Sequence, residues 1–434
     1  MRLGTSEVAA ATGGHLVGPD VVVDGASVDS RRVRAGELFV PVVAERDGHD
    51  FVPAALAAGA AAYLTSRPPQ GGTAVVVDDT VAALAALAGY ARSRLPARVV
   101  GITGSVGKTT VKDLLASALS QRWRTAASAG SFNNELGVPL TLLGAGDDAE
   151  AVVVEMGARF PGDLRYLCGF ARPTVGVVTA VNLVHTETFG SLEDVARAKG
   201  ELVEALPVEG TAVLNADDLL VAAMAGRTSA RVLPYGLGHG DVRAEGITLD
   251  AELRPSFHLR SPWGDAEVTL AVRGGHQVAN ALAAAAAALT CGVDPEAVAT
   301  GLGHASASPW RMALTRSPSG ALVLNDAYNA NPTSMLAALR ALAALDASRR
   351  VAVLGTMAEL GEVSRREHAN VAAAAAGLGI EVLAVDEPAY GVEVVDDVDA
   401  ALDALGELGE GDAVLVKGSR VAGLERLAAD LLRR

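Results

Sequence analysis

Lysine survives at only four of the 36 basic positions of this 434-residue chain: Lys108, Lys112, Lys199 and Lys417. The other basic residues are arginines, so a site that needs only a generic positive charge is already served. The lysines mark positions where a compact amine, able to lose its proton, does something a guanidinium cannot. Lys108 stands in GSVGKTT (104–110), Lys199 in ARAKGE (196–201) and Lys417 in VKGSR (416–420). Lys112, one turn along the helix expected after residue 107, reads as an ordinary helix residue.

The string 104–110 has the chemistry of a phosphate loop. Between a strand and a helix, the backbone N–H groups of Gly104, Ser105, Val106 and Gly107 turn into one concavity, and the helix N-terminus adds its positive end. Lys108 is placed to reach β- and γ-phosphate oxygens, and the Thr109 hydroxyl to ligate Mg²⁺; Thr110 completes the ATP-binding set. The spacing departs from the general pattern at one position, where Ile102 replaces the usual first glycine. A carboxylate at a neighbouring strand end should complete a metal site. Glu155 in VVVEMG, after a run of apolar residues, is the candidate. An Asn-Lys-x-Asp string, which would read guanine, is absent from the sequence, so ATP is the expected nucleotide.

These residues need rigid elements to hold them. RVVGIT (98–103), AVVVEMG (151–157) and TVGVVTAVN (174–182) read as buried strands, with helical stretches between. That alternation predicts a central parallel sheet with helices on both faces over 97–307. Near residue 240 polar and apolar residues begin to alternate, as in a small antiparallel meander. GHQVANALAAAAAALTCG (275–292) and DPEAVATGLG (294–303) return to helix, with Asp294 as N-cap and Pro295 at the first helical position. Residues 308–434 repeat a β–α pattern and predict a Rossmann-like sheet. Residues 1–96 form a smaller mixed α/β unit: ELFVPVV (37–43) and AVVVDD (74–79) read as strands, FVPAALAAGAAAYL (51–64) and VAALAALAGYARSRL (81–95) as helices. Pro96 is the expected boundary. The fold class is thus α/β in three domains.

Length and composition agree. The chain is too long for one core, and half its residues are apolar. A net charge of −15 argues against a nucleic-acid or anionic-membrane binder. Cys168 and Cys291 make neither a disulfide framework nor a zinc pattern. The N-terminus lacks a signal-peptide layout, and the alanine runs 281–288 and 372–376 are too short to span a membrane. A cytoplasmic protein is expected.

At this point the strings resemble a known family, the Mur ligases, the ATP-dependent amide ligases of peptidoglycan synthesis. DSRRVRAGELFVPV, GITGSVGKTTVKDLL, SFNNELGVPLTLL (131–143), VVEMGARFPGDL, AVNLVHTETFGS, ARAKGELV, NDAYNANPTSM (325–335), LGTMAELG (354–361) and VKGSR follow one another in the family's order across essentially the whole chain. The resemblance implies that the first unit binds a UDP-sugar, with Ser30, Arg31, Asn133 and Asn134 as candidates. It implies Lys108, Lys199, His185 and Arg311 as catalytic residues, with His185 joining Thr109 and Glu155 as metal ligands. Lys199 would be a carbamylated lysine and the remaining ligand. Asn280, Arg311 and Asp326 would complete the ATP site. Within the family, the third-domain strings imply UDP-N-acetylmuramoyl-tripeptide and D-alanyl-D-alanine as substrates, joined through an acyl phosphate by a monomeric enzyme using Mg²⁺. The carbamate has a chemical rationale: a bare ammonium repels Mg²⁺, whereas CO₂ added to a neutral amine gives an oxygen-donor anion.

Two positions depart from the family's pattern. HQVAN (276–280) has Gln277 where asparagine is usual, and SPWRM (308–312) has Trp310 where glycine is usual. Tryptophan predicts that the backbone here keeps an ordinary negative φ, with the indole packed at the junction of the second and third units. A ligase of the same family adding a different residue, or a non-catalytic nucleotide-binding homologue, are the alternatives. The first should carry an Asp-Asn-Pro-Arg string, which is absent. The second has no reason to keep Lys108, Glu155, His185, Lys199 and Arg311 together.

Overall fold

The computed structural model describes residues 1–95, 98–182 and 190–433. The boundary expected at Pro96 and the candidate ligand His185 lie outside the described residues.

Short runs of β-branched residues build three main sheets. In the first unit, five strands pair in the order His15–Val17, Ala74–Val76, Ala62–Thr65, Leu38–Phe39, Ala26–Ser27. The stretch 51–64 is not one helix, as its composition suggested. It is helix Val52–Ala57 followed by strand Ala62–Thr65. An apolar run carries no period that separates a buried helix from a buried strand. Pairing with Leu38–Phe39 on one side and Ala74–Val76 on the other makes its second half a central strand.

The central sheet has nine strands in the order Ala266–Thr269, Pro255–Arg260, Val242–Leu249, Arg231–Gly236, Thr211–Asn215, Val175–Val178, Val99–Thr103, Ala151–Glu155, Thr125–Ala127. The last seven run parallel, and the meander near residue 240 continues the same sheet as its antiparallel edge. Strands Val99–Thr103 and Ala151–Glu155 are buried along their length, as strands covered on both faces must be. The phosphate-loop helix Lys108–Ser120 lies against helices Gln277–Thr290 and Pro295–His304. Alanine explains how closely: residues 281–288 are all buried, and a Cβ on Gly301 would come within 2.5 Å of Ala118 Cα. Asp294 caps the last of these helices by accepting from the Ala297 N–H at 2.9 Å, as its sequence position predicts.

The third sheet runs Ala313–Arg316, Leu322–Asn325, Asp412–Lys417, Arg349–Leu354, Glu381–Val385, Glu393–Val395, parallel except for its first pair. Register places Asn325 beside Val416 and Leu354 beside Lys417, so Asp326 and Lys417 emerge together at the carboxyl ends of their strands. In the central sheet Glu155 pairs with Ile102, so the phosphate loop and Glu155 also leave carboxyl ends side by side. Both sheets present these ends to one cleft of about 1090 Å³. Among the described residues no helix is long and apolar enough to cross a membrane.

Candidate active site

The phosphate loop closes around two glycines at which any side chain would be strained and crowded. Gly104 has φ 142° and Gly107 φ 82°, both in the region that favours glycine. A Cβ on Gly104 would sit 1.9 Å from Thr179 Oγ1, and one on Gly107 2.3 Å from Asn280 Oδ1. Thr179 donates its hydroxyl to Val106 O at 2.5 Å and braces the loop from the next strand. The half-buried Lys108 folds across it, with Nζ donating to Gly104 O at 2.7 Å. Removal from water pushes its pKa down, opposed by the nearby Glu155 carboxylate.

Glu155 is 1% exposed and held on both oxygens. Oε2 accepts from Thr109 Oγ1 and Oε1 from Asn133 Nδ2, each at 2.8 Å. The Thr109 hydroxyl and the Glu155 carboxylate therefore converge as oxygen donors, a set suited to a hard divalent cation. No three His, Cys, Asp or Glu side chains gather into a metal cluster among the described residues. Lys199 is 1% exposed, and its Nζ lies 3.4 Å from Ala158 O. Burial, and then the positive charge of Lys108, push its pKa down to about 7. A neutral amine is thus accessible near neutral pH, as carbamate formation requires.

Arg311 reaches this group from the start of the C-terminal unit. Its Nη2 donates to Thr109 Oγ1 at 2.9 Å, and the guanidinium lies 4.1 Å above the Tyr328 ring. Its Nε is buried and has no hydrogen-bond partner among the described residues. The loop before it corrects the expectation for Trp310. The backbone there is left-handed at Trp310 (φ 61°) and again at Met312 (φ 52°). Such strain costs about 1–3 kcal/mol per residue and persists only where neighbours over-determine it. Here Trp310 O accepts from the Tyr328 N–H at 3.2 Å, and the Arg420 guanidinium stacks 4.2 Å from the indole. The Met312 N–H donates to Asp326 Oδ1 at 3.1 Å. The indole packs within the C-terminal unit, on Arg420, and not across the junction with the central unit as expected.

Of the remaining candidates, Ser105, Thr110, Asn134, Asn280 and Asp326 all line the cleft. The departure at Gln277 is accommodated: this residue is 4% exposed, and its Oε1 accepts from Asn280 Nδ2 at 2.7 Å, which turns Asn280 Oδ1 toward Gly107. Asp326 Oδ2 pairs with Lys417 Nζ at 2.5 Å. Asn134 Oδ1 accepts from the Gly137 N–H at 3.0 Å, at the start of helix Gly137–Gly144. Ser30 and Arg31 do not reach the cleft wall; Arg31 is largely exposed and forms a fork with its own neighbour Asp29 at 2.9 Å. Lys112 is not an ordinary helix residue, because it is 3% exposed. Lys417 and Tyr328 lie in the family strings, and their neighbours in space show what they do: Lys417 pairs with Asp326, and Tyr328 lies under Arg311. The two cysteines are buried and free, and burial pushes the Cys168 thiol up to about 12.

Comparisons with known proteins identify the family. Residues 102–288 match the family description "Mur ligase middle domain", and residues 310–420 match "Mur ligase, glutamate ligase domain". A Mycobacterium tuberculosis protein named UDP-N-acetylmuramoyl-tripeptide–D-alanyl-D-alanine ligase is 42% identical, over 93% of this chain and 91% of its own. The chain belongs to the Mur ligase family. An Escherichia coli K12 ligase of the same name is 37% identical over 96% of both chains. Among solved structures, MurF from Acinetobacter baumannii superposes with a TM-score of 0.91 at 31% identity, covering 100% of this chain and 99% of that one. MurF ligase from Thermotoga maritima, in complex with ADP, gives 0.82 at 28% identity, covering 94% and 97%.

Proposed function

We propose that this Mur ligase adds D-alanyl-D-alanine to UDP-N-acetylmuramoyl-tripeptide at the expense of ATP, in the cytoplasm, as a monomer. The observation that carries the reading is the meeting of Lys108, Thr109, Glu155 and Arg311, from two different units, in one cleft. The names of relatives that cover nearly the whole chain support the choice of substrates. In this reading 1–96 is the UDP-sugar domain, 97–307 the ATP domain and 308–434 the acceptor domain.

The tripeptide's terminal carboxylate attacks the γ-phosphorus. A C–O–P bond forms, the bond to the bridging oxygen breaks, and ADP leaves. Charge then spreads over the transferring phosphoryl oxygens, which the loop N–H groups, Lys108 and Arg311 would meet once Lys108 leaves its contact with Gly104 O. Mg²⁺ held by Thr109 and Glu155, with His185 and a carbamylated Lys199 as further ligands, would neutralise phosphate charge when bound. Lys199 is suited to that role because its neutral amine can take up CO₂ and release one proton, giving the oxygen anion. Asn133 keeps Glu155 oriented, and Asn280 and Asp326 flank the nucleotide. The dipeptide amine next attacks the acyl carbon, loses a proton, and phosphate leaves from the tetrahedral intermediate. Shielding the acyl phosphate from water needs both walls of the cleft. Ser30 and Arg31 bind the UDP end, outside the cleft, once Arg31 gives up Asp29.

The test is a substrate panel read by phosphate release. Tripeptide and dipeptide UDP-sugars are crossed with D-alanyl-D-alanine, D-alanine and a diamino acid. Release should need the tripeptide and the dipeptide acceptor together. Equal release with a single amino acid would exclude the dipeptide-adding assignment, and none with any pair would favour a non-catalytic homologue.

A further inference from the structure

The segment that carries Arg311 is fastened to the phosphate-loop helix one turn below the nucleotide loop, at a place the reaction above does not use. The fastening centres on Lys112, whose ammonium holds three oxygens. It donates to Ser128 O and Gly130 O and forms an ion pair with Asp113 Oδ1, each at 2.9 Å. Asp113 turns its other oxygen, Oδ2, to the linker between the second and third units. It accepts there from the Ser308 N–H at 2.9 Å and from Ser308 Oγ at 2.7 Å.

Ser308 lies three residues before Arg311, whose guanidinium donates to Thr109 Oγ1. Thr109 and Asp113 are four apart on helix Lys108–Ser120 and so share a face. The linker therefore crosses that face with two attachments, Asp113 at one end and Thr109 at the other. The loop containing Asn133 is tied to the same helix, through the two carbonyls on Lys112 and through Ser131 Oγ, 3.3 Å from Thr109 Oγ1.

We infer that Lys112 and Asp113 are positioning residues that seat the interdomain linker, so that Arg311 is delivered to the phosphate site. A buried ion pair is a weak source of stability, because desolvation offsets most of its attraction. Its geometry is what it contributes here: it fixes two backbone segments against one helix. Arginine at 112 would present a planar fork and not a three-way ammonium, which accounts for a lysine in a chain that otherwise uses arginine. The inference rests on the role given to Arg311 above.

A double-mutant cycle in the full-length enzyme tests it, with phosphate release from the complete substrate set as the readout. Asp113→Asn preserves shape but removes the charge that both Lys112 and Ser308 use. We expect kcat to fall about tenfold with the KM for ATP within about twofold. In an Arg311→Ala background the same change should cost less than about twofold, because a residue that acts through Arg311 has nothing left to act on. Equal losses in both backgrounds, with Arg311 essential, overturn the inference alone. Normal turnover of Arg311→Ala by itself removes the reading beneath it. Should Asp113→Asn not fold, Ser308→Ala takes its place. It deletes one hydroxyl contact, and a loss of about threefold should likewise vanish in the Arg311→Ala background.

Discussion

Arg311 Nη2 and Thr109 Oγ1 stand 2.9 Å apart although 202 residues of chain separate them. One residue opens the C-terminal unit, and the other follows the phosphate-loop lysine in the central unit. The contact places the guanidinium on the hydroxyl that would ligate the cation, so in the proposed reading the two units share one phosphate site. Arg311→Ala should therefore lower kcat about a hundredfold, the usual cost of losing one preorganised charge at a developing oxyanion. Steady-state phosphate release measures it, and unchanged turnover would mean that another residue meets the γ-phosphate charge.

Lys108→Ala should lose about 3 kcal/mol of transition-state stabilisation, again near a hundredfold in rate. Folding should be retained, since among the described residues the side chain bonds to its own loop carbonyls. A variant that turns over normally while melting normally would contradict the phosphate-loop assignment.

Carbamylation of Lys199 should depend on pH in one direction. Only the neutral amine takes up CO₂, and the amine's pKa lies near 7. Loading should therefore rise as pH increases from about 6 to 8. A carbamate signal in ¹³C NMR with labelled bicarbonate should appear in the wild type and be absent in Lys199→Ala. Lys199→Ala should be nearly inactive and partly restored by short carboxylates. The linkage to stability has the same sign for the unmodified protein. Its native pKa is depressed, so between about 7 and 10.5 the unfolded chain holds the extra proton. Stability should thus rise with pH across that window, and Lys199→Met should abolish this component.

Trp310→Gly sets two effects against each other. Glycine accepts φ 61° freely, which relieves about 1–3 kcal/mol of strain. It also loses the stack with Arg420 and adds backbone entropy to the unfolded chain, together about 1–2 kcal/mol. The melting temperature should move by less than about 3 °C, with a KM for ATP altered about twofold. A drop of ten degrees or more in a thermal melt would show that the indole is a packing anchor.

Lys417→Met should destabilise by about 3 kcal/mol. It strands the Asp326 carboxylate, which is 14% exposed and also holds the Met312 N–H. Adding Asp326→Asn should recover part of that loss in denaturant melts, because no uncompensated charge then remains. If the double variant were less stable than Lys417→Met, the pair's Coulombic role would be refuted.

Much of this protein is legible in its sequence because the signals are local. A glycine-rich string between an apolar strand and a helix has one economical conformation, so GSVGKTT specified the loop, Lys108 and Thr109. Buried strands alternating with helices specified parallel sheets, and parallel sheets bring strand carboxyl ends together. Glu155 could therefore be placed at the cleft from its position at the end of a strand, whereas Asp326 came from the family resemblance. The rarity of lysine marked Lys199 and Lys417, and the structure buries both.

Other features needed the chain to be folded on itself. Ala62–Thr65 is a strand only because two other strands flank it; its alanine-rich sequence suits a helix equally well. The left-handed turn at Trp310 contradicts local preference and holds because Tyr328, Arg420 and Asp326, all distant in sequence, fix it. Lys112 looked ordinary because the three oxygens it holds come from a neighbouring loop and an adjacent aspartate, and that aspartate's own partner lies 195 residues away. Sequence sets conformations whose energies are decided within a few residues. Tertiary structure decides those in which a buried charge or a strained backbone must find its compensation across the chain.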